Sequence, residues 1–61
     1  MKITIMEANF WRKIEEREFK DWNEALEYVW SLPEAKDIYG LCDLIVSKQD
    51  MRIIIYNSYI E

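Results

Sequence analysis

Residues 21–31 decide the fold, and they read DWNEALEYVWS. Their apolar members recur with a 3.6-residue period and form one continuous stripe, which predicts an amphipathic helix. Asp21 and Glu24 have the spacing of a capping box, and Pro33 disfavours helical backbone at Leu32. We therefore expect the helix to begin after Asp21 and to end near Ser31. The stripe consists of Trp22, Ala25, Leu26, Val29 and Trp30.

The segments on either side of this helix alternate with a period of two, which predicts strands. Residues 2–6 and 41–47 alternate along their length, and residues 51–59 are rich in β-branched and aromatic side chains. The polar residues 47–50 predict a hairpin turn between the last two strands. A short helical turn over residues 32–39, closed by Gly40, is a further expectation.

Residues 12–20 are mostly charged and admit two interpretations. As a strand they form a charged edge with a bulge, because Ile14 and Phe19 differ in parity. As a helix they would bring Trp11, Ile14, Glu18 and Trp22 onto one face. The strand is favoured, because a helix here would run unbroken through the Asp21 cap.

The resulting order is β-β-α-β-β in a single domain over residues 1–61. This is an α+β fold in which one helix packs on one face of a four-stranded antiparallel or mixed sheet. The first and last strands carry most of the isoleucines, so we expect them at the centre of the sheet, with the charged strand at an edge.

Composition excludes most kinds of enzyme. The chain has 61 residues, no His and a single cysteine, Cys42. The commonest general base is therefore absent, as are Cys/His zinc sites and disulfides within the chain. The acidic run at Glu15, Glu16 and Glu18 is typical of a solvated, salt-bridged edge. We expect no catalytic, cofactor-binding or metal-binding residues.

Negative charge is concentrated in the middle of the chain. The net charge is −4, and residues 21–43 carry six acids against one lysine. A helix that buries its apolar stripe must display its acids outward, which favours a basic protein partner. The alternative is a surface that serves only solubility. The predicted partner-binding residues are Asp21, Glu24, Glu27, Tyr28, Glu34 and Asp37.

Apolar side chains exceed what one helix can cover. In the last strand, Ile53 and Ile55 lie on one face, whereas Ile54 and Tyr56 lie on the other. An uncovered apolar face of a sheet marks an interface. We therefore predict a homo-oligomer whose interface includes Ile54 and Tyr56.

Two other kinds of partner are not expected. The stretch Phe10-Trp11-Arg12-Lys13 could stack a base, but a chain of net charge −4 would approach phosphates against its own field. We expect these aromatic side chains to pack at a hairpin instead. The apolar run at residues 1–7 is too short for a signal-peptide core or a membrane span, and a lone Cys42 fits a reducing compartment, so the expected location is cytoplasmic.

In size, acidity and lack of catalytic residues, the chain resembles the small phage and mobile-element proteins that inhibit host nucleic-acid enzymes, anti-CRISPR proteins among them. The resemblance covers size, charge and predicted fold, without a shared motif. It implies a non-catalytic inhibitor that occludes a basic, nucleic-acid-binding surface of its partner. The alternative function is a structural or regulatory subunit that associates with itself through the open face of the sheet.

Overall fold

The computed structural model describes residues 1–38 and 40–57. It confirms an α+β fold, with one helix and a mixed four-stranded sheet. Two further short strands form a separate hairpin, which the predicted order β-β-α-β-β omits. The elements are β1 (Lys2–Glu7), β2 (Arg12–Glu18), α1 (Trp22–Ser31), a 3-10 turn (Pro33–Ala35), β3 (Lys36–Asp37), β4 (Gly40–Leu41), β5 (Asp43–Ser47) and β6 (Arg52–Tyr56).

The four-stranded sheet has the order β2-β1-β6-β5. β1 and β6 run parallel, with Ile5 opposite Ile53, and the two outer pairs are antiparallel. The prediction that the first and last strands form the central pair is confirmed. The connection between these two parallel strands contains α1, as parallel pairing requires a long crossover.

The charged segment forms a strand, β2, at one edge of the sheet. Its pairing with β1 shifts between Ile5 and Met6, which lie opposite Glu15 and Lys13, so Ile14 is the extra residue of a bulge. Both the edge position and the bulge were predicted. The strand ends at Glu18, two residues earlier than expected.

Helix α1 has the predicted ends. The Asp21 carboxylate accepts a hydrogen bond from the Glu24 N–H at 2.9 Å, and the Lys20 N–H donates to the Glu24 carboxylate at 3.2 Å. These contacts satisfy N–H groups at the start of the helix. At the other end, Leu32 is extended ahead of Pro33, so the helix stops at Ser31.

The core lies between α1 and one face of the sheet. Ala25 and Val29 lie on the inner side of α1 and are buried, whereas Trp22, Leu26 and Trp30 of the predicted stripe are only half-buried. Cys42 is buried as a thiol, and burial raises its pKa, helped by the nearby carboxylates of Asp37 and Asp43. The other buried members of the core are Ile3, Ile5, Phe19, Ala35, Ile53 and Ile55.

The segment between α1 and β5 departs from the prediction. The helical turn expected over residues 32–39 is limited to Pro33–Ala35, because Lys36 turns away to pair with Leu41. Leu41 therefore belongs to this hairpin and not to β5. The Cys42 N–H donates to the Ala35 carbonyl at 2.9 Å and holds the hairpin against the core. Tyr39 and Tyr59, to which the predicted turn and last strand extend, lie outside the described residues.

Candidate functional site

Three predicted partner-binding residues form one surface on α1. Asp21, Glu24 and Glu27 are all exposed, and we call them the acidic surface. Within residues 1–38 and 40–57, the salt bridges join the N-terminal amine to Glu18 and Arg17 to Glu15, so no cation neutralises the acidic surface at contact distance. The Asp21 and Glu24 carboxylates each accept a backbone N–H at the start of α1, and all three side chains remain exposed to solvent.

Tyr28 is engaged with β2 and not with the acidic surface. Its hydroxyl donates a hydrogen bond to the Glu15 carboxylate, its ring lies 5.4 Å from that of Phe19, and the Arg17 guanidinium lies 4.5 Å from its ring centre. The hydrogen bond from Tyr28 lowers the pKa of Glu15, and donating that bond to a carboxylate raises the pKa of Tyr28. Tyr28 thus joins the helix to the charged edge of the sheet.

Glu34 and Asp37 lie beyond the other end of α1. A helix of 10 residues is about 15 Å long, so these two acids are well separated from Asp21 at its start. Glu34 is exposed in the 3-10 turn, whereas Asp37 is half-buried in β3. The structure therefore divides the six predicted residues into the acidic surface, the Tyr28 contact and a pair at the opposite end.

Glu34 borders a cleft of about 180 Å³ at the carboxyl ends of β1 and β6. Several polar groups of the cleft are already used by the fold: the Glu7 carboxylate accepts from the Phe10 N–H, and the Asn9 side chain exchanges hydrogen bonds with the Asn57 backbone at 2.9 and 3.0 Å. The volume is below that of typical ligand pockets. No group of three metal-ligating side chains occurs in the described part of the chain.

The turn between β1 and β2 carries two exposed aromatic side chains. Phe10 is 75% exposed and Trp11 is 60% exposed, so the expected packing of these rings at the hairpin is not found. The Trp11 N–H donates to the Ala8 carbonyl at 3.2 Å, and Trp11 has φ 52°, in the left-handed region. We call Phe10 and Trp11 the aromatic tip. The sequence does not reveal this exposure: Asn9 marks a turn, but it does not show whether the rings that follow pack against the sheet or point into solvent.

The open face of the sheet is the face that α1 does not cover. The strand register puts Ile54 in a row with Met6 on β1 and Ile45 on β5, and puts Tyr56 beside Asp43. Ile53 and Ile55 face the helix and are fully buried. Ile54 and Tyr56 therefore lie on the face that the sequence predicted for them, and both are half-buried.

No protein-family model, curated protein or solved structure matches the chain. Among the described residues, no helix has the length and apolar character needed to cross a membrane.

Proposed function

We propose that this protein is a non-catalytic binding module that inhibits its partner by docking the acidic surface on a basic, nucleic-acid-binding region. The observation that supports this is the exposure of Asp21, Glu24 and Glu27 without a cation at contact distance. The proposed compartment is the cytosol, where reducing conditions keep Cys42 a thiol.

Electrostatic attraction raises the association rate of such a module and favours partners of opposite charge. Three carboxylates on one side of a small protein attract a positively charged partner over roughly a Debye length, about 8 Å at physiological salt. A channel that binds phosphates presents that positive charge. Occupying it would exclude nucleic acid, and raising the salt concentration would slow the association.

Tight binding also needs an apolar anchor, since exposed charge pairs contribute little affinity. Tyr28 was the predicted anchor, but its hydroxyl and ring are engaged by Glu15, Phe19 and Arg17. The aromatic tip is the better candidate, because both rings are exposed and Trp is enriched among residues that dominate binding energy. Phe10 shares its cleft with Glu34, beyond the end of α1 opposite Asp21, so a partner that contacts both the aromatic tip and the acidic surface must span the helix, about 15 Å.

The test is competition with nucleic acid. Tagged protein captures partners from host lysate, and each purified partner is then titrated for nucleic-acid binding in the presence of wild-type protein or of the variant Glu24→Lys/Glu27→Lys. We expect wild type to displace the nucleic acid and the variant to fail. Displacement should weaken as the salt concentration rises.

A matched control is available on β2. The variant Glu16→Lys/Glu18→Lys reverses two exposed carboxylates outside the acidic surface, and both double variants change the net charge from −4 to 0. The control should compete like wild type. If both double variants lose competition with nucleic acid to the same extent, the total charge alone matters. If Glu24→Lys/Glu27→Lys competes as well as wild type, the acidic surface is not the contact.

A second candidate function is self-association through the open face. The observation in its favour is the row of Met6, Ile54 and Ile45 on the face away from α1, in which Ile45 is 50% exposed, Ile54 is half-buried and Met6 is buried. Replacing Ile54 with Glu would put a charge in the centre of that row and should convert an oligomer to monomers. A wild-type sedimentation mass of one protomer, 7.5 kDa, would exclude this function.

A further inference from the structure

The two edges of the sheet differ in how they are protected against pairing. β2 is short of apolar residues, carries charges of both signs and contains the bulge at Ile14. These are the features by which natural sheets prevent edge-to-edge association. β5 has none of them: its residues read DLIVS, and its register with β6 runs without a shift from Asp43 to Ser47.

The outer edge of β5 is accessible. No strand in the described part of the chain pairs with it. Ile45 is 50% exposed and Val46 is 37% exposed. Both are residue types that favour strands. In an antiparallel pair, alternate residues direct their N–H and C=O groups away from the partner strand, so β5 presents a row of hydrogen-bonding groups to solvent.

We propose that β5 is the interface with a second copy of this chain, paired antiparallel about a two-fold axis through Ile45. This register puts Ile45 opposite its own equivalent and Leu44 opposite the second copy's Val46. Each residue then meets a side chain of the same kind on the same face, because Leu44 and Val46 lie on the core side and Ile45 on the open side. The two sheets become one sheet of eight strands.

Charge supports this register. Asp43 lies opposite the second copy's Ser47, and Ser47 pairs with Arg52 on β6. Arg52 and the second copy's Asp43 are thus separated by two strand spacings, about 9.6 Å between backbones, a gap that a long Arg and an Asp bridge over the small Ser47. Within one protomer, these two residues lie at opposite ends of the β5–β6 hairpin, about 13 Å apart along the strand, so they cannot pair.

The pairing closes after two copies. A two-fold contact uses the same edge of both partners, and each remaining edge is the charged, bulged β2, so no fibre can grow. The axis is perpendicular to the sheet, and both helices therefore lie on the same face with their acidic surfaces on one side of the dimer. The interface does not depend on the proposed function, since it uses neither the acidic surface nor the aromatic tip.

The first measurement combines sedimentation with hydrogen exchange of the full chain from micromolar to millimolar concentration. We expect a mass of two protomers, and outward-facing amides of β5 that exchange more slowly as the protein concentration rises. A single-protomer mass throughout this range would overturn the proposal. So would a dimer in which the β5 amides exchange at the same rate at every concentration.

A charge exchange tests the register. Asp43→Arg and Arg52→Asp should each raise the dimer dissociation constant about tenfold, because the symmetric interface loses the pair twice, and the double variant should return to within about threefold of wild type. The control Glu16→Arg reverses a charge on β2, the protected edge, and should leave the dimer dissociation constant unchanged. Absence of rescue in the double variant, or dissociation by Ile54→Glu with no response to Asp43→Arg, would refute edge pairing in favour of contact through the open face.

Discussion

The left-handed backbone at Trp11 predicts that glycine is more stable than alanine at this position. Trp11 has φ 52°, and an L-residue with a Cβ atom is disfavoured there by about 1–2 kcal/mol, whereas Gly is not. Comparing Trp11→Gly with Trp11→Ala removes the ring in both variants. The difference in free energy of unfolding therefore reports the backbone conformation and not the loss of the aromatic side chain.

The expected size follows from two opposing effects. The relief of left-handed strain favours Gly by about 1–2 kcal/mol, and the greater flexibility of Gly in the unfolded chain disfavours it by about 0.4–1 kcal/mol. Taking the middle of each range, Trp11→Gly should be more stable than Trp11→Ala by about 0.8 kcal/mol. For a domain of this size, that difference corresponds to roughly 3–6 °C in melting temperature.

Urea unfolding followed by circular dichroism measures both variants, and Glu27 supplies the control. Glu27 is exposed in the middle of α1, where Gly is less stable than Ala by about 1 kcal/mol. The order of the Gly and Ala variants should therefore be opposite at positions 11 and 27. If Trp11→Ala is as stable as Trp11→Gly, or more stable, Trp11 does not occupy the left-handed region and the account of the turn is wrong.

Three other predictions concern the helix and its contact with β2. Val29→Ala should lower the free energy of unfolding by about 2 kcal/mol in urea melts, because Val29 is fully buried, and an unchanged stability would contradict its place in the core. Asp21→Ala should cost about 1 kcal/mol through loss of the cap, whereas a cost near zero would contradict that contact. Tyr28→Phe should destabilise the protein at neutral pH by removing the hydrogen bond to Glu15. The pKa of Glu15 lies below its ordinary 4.5 and that of Tyr28 lies above its ordinary 10.0. The difference in free energy of unfolding between wild type and Tyr28→Phe should therefore shrink as the pH falls below 4.5 or rises above 10.0. A constant difference across this pH range would refute the coupling.

The helix and the sheet centre could be predicted because their signals are local. Asp21 and Pro33 mark the two ends of α1 through backbone geometry that does not depend on the rest of the fold. The alternation of Ile3 and Ile5 and the isoleucine-rich last strand required burial on at least one face, and the central pair of a sheet provides it. The charged segment was assigned to an edge by the same reasoning.

The remaining features depend on long-range contacts that one sequence does not display. The β3–β4 hairpin forms because Cys42 and Ala35 are held together against the core, and nothing in the local pattern separates Leu41 from the strand that follows. The role of Tyr28 depends on Glu15, thirteen residues away in the chain and across the helix–sheet boundary. A helical wheel places Tyr28 only at the border of the stripe and cannot identify its partner.

The β1–β2 and β5–β6 hairpin turns share a left-handed residue at the same place but differ in the exposure of its side chain. Met51 has φ 55° in the turn before β6, close to the φ 52° of Trp11, and the Met51 side chain packs against the core. Trp11 has a similar φ with its ring 60% exposed. Both residues end a four-residue turn and donate their N–H to the carbonyl three residues earlier, so the left-handed φ is the conformation with which each turn returns the chain to the next strand. The two turns differ in the exposure of their side chains, and this exposure, not the backbone, supports the proposed contact of the aromatic tip with a partner.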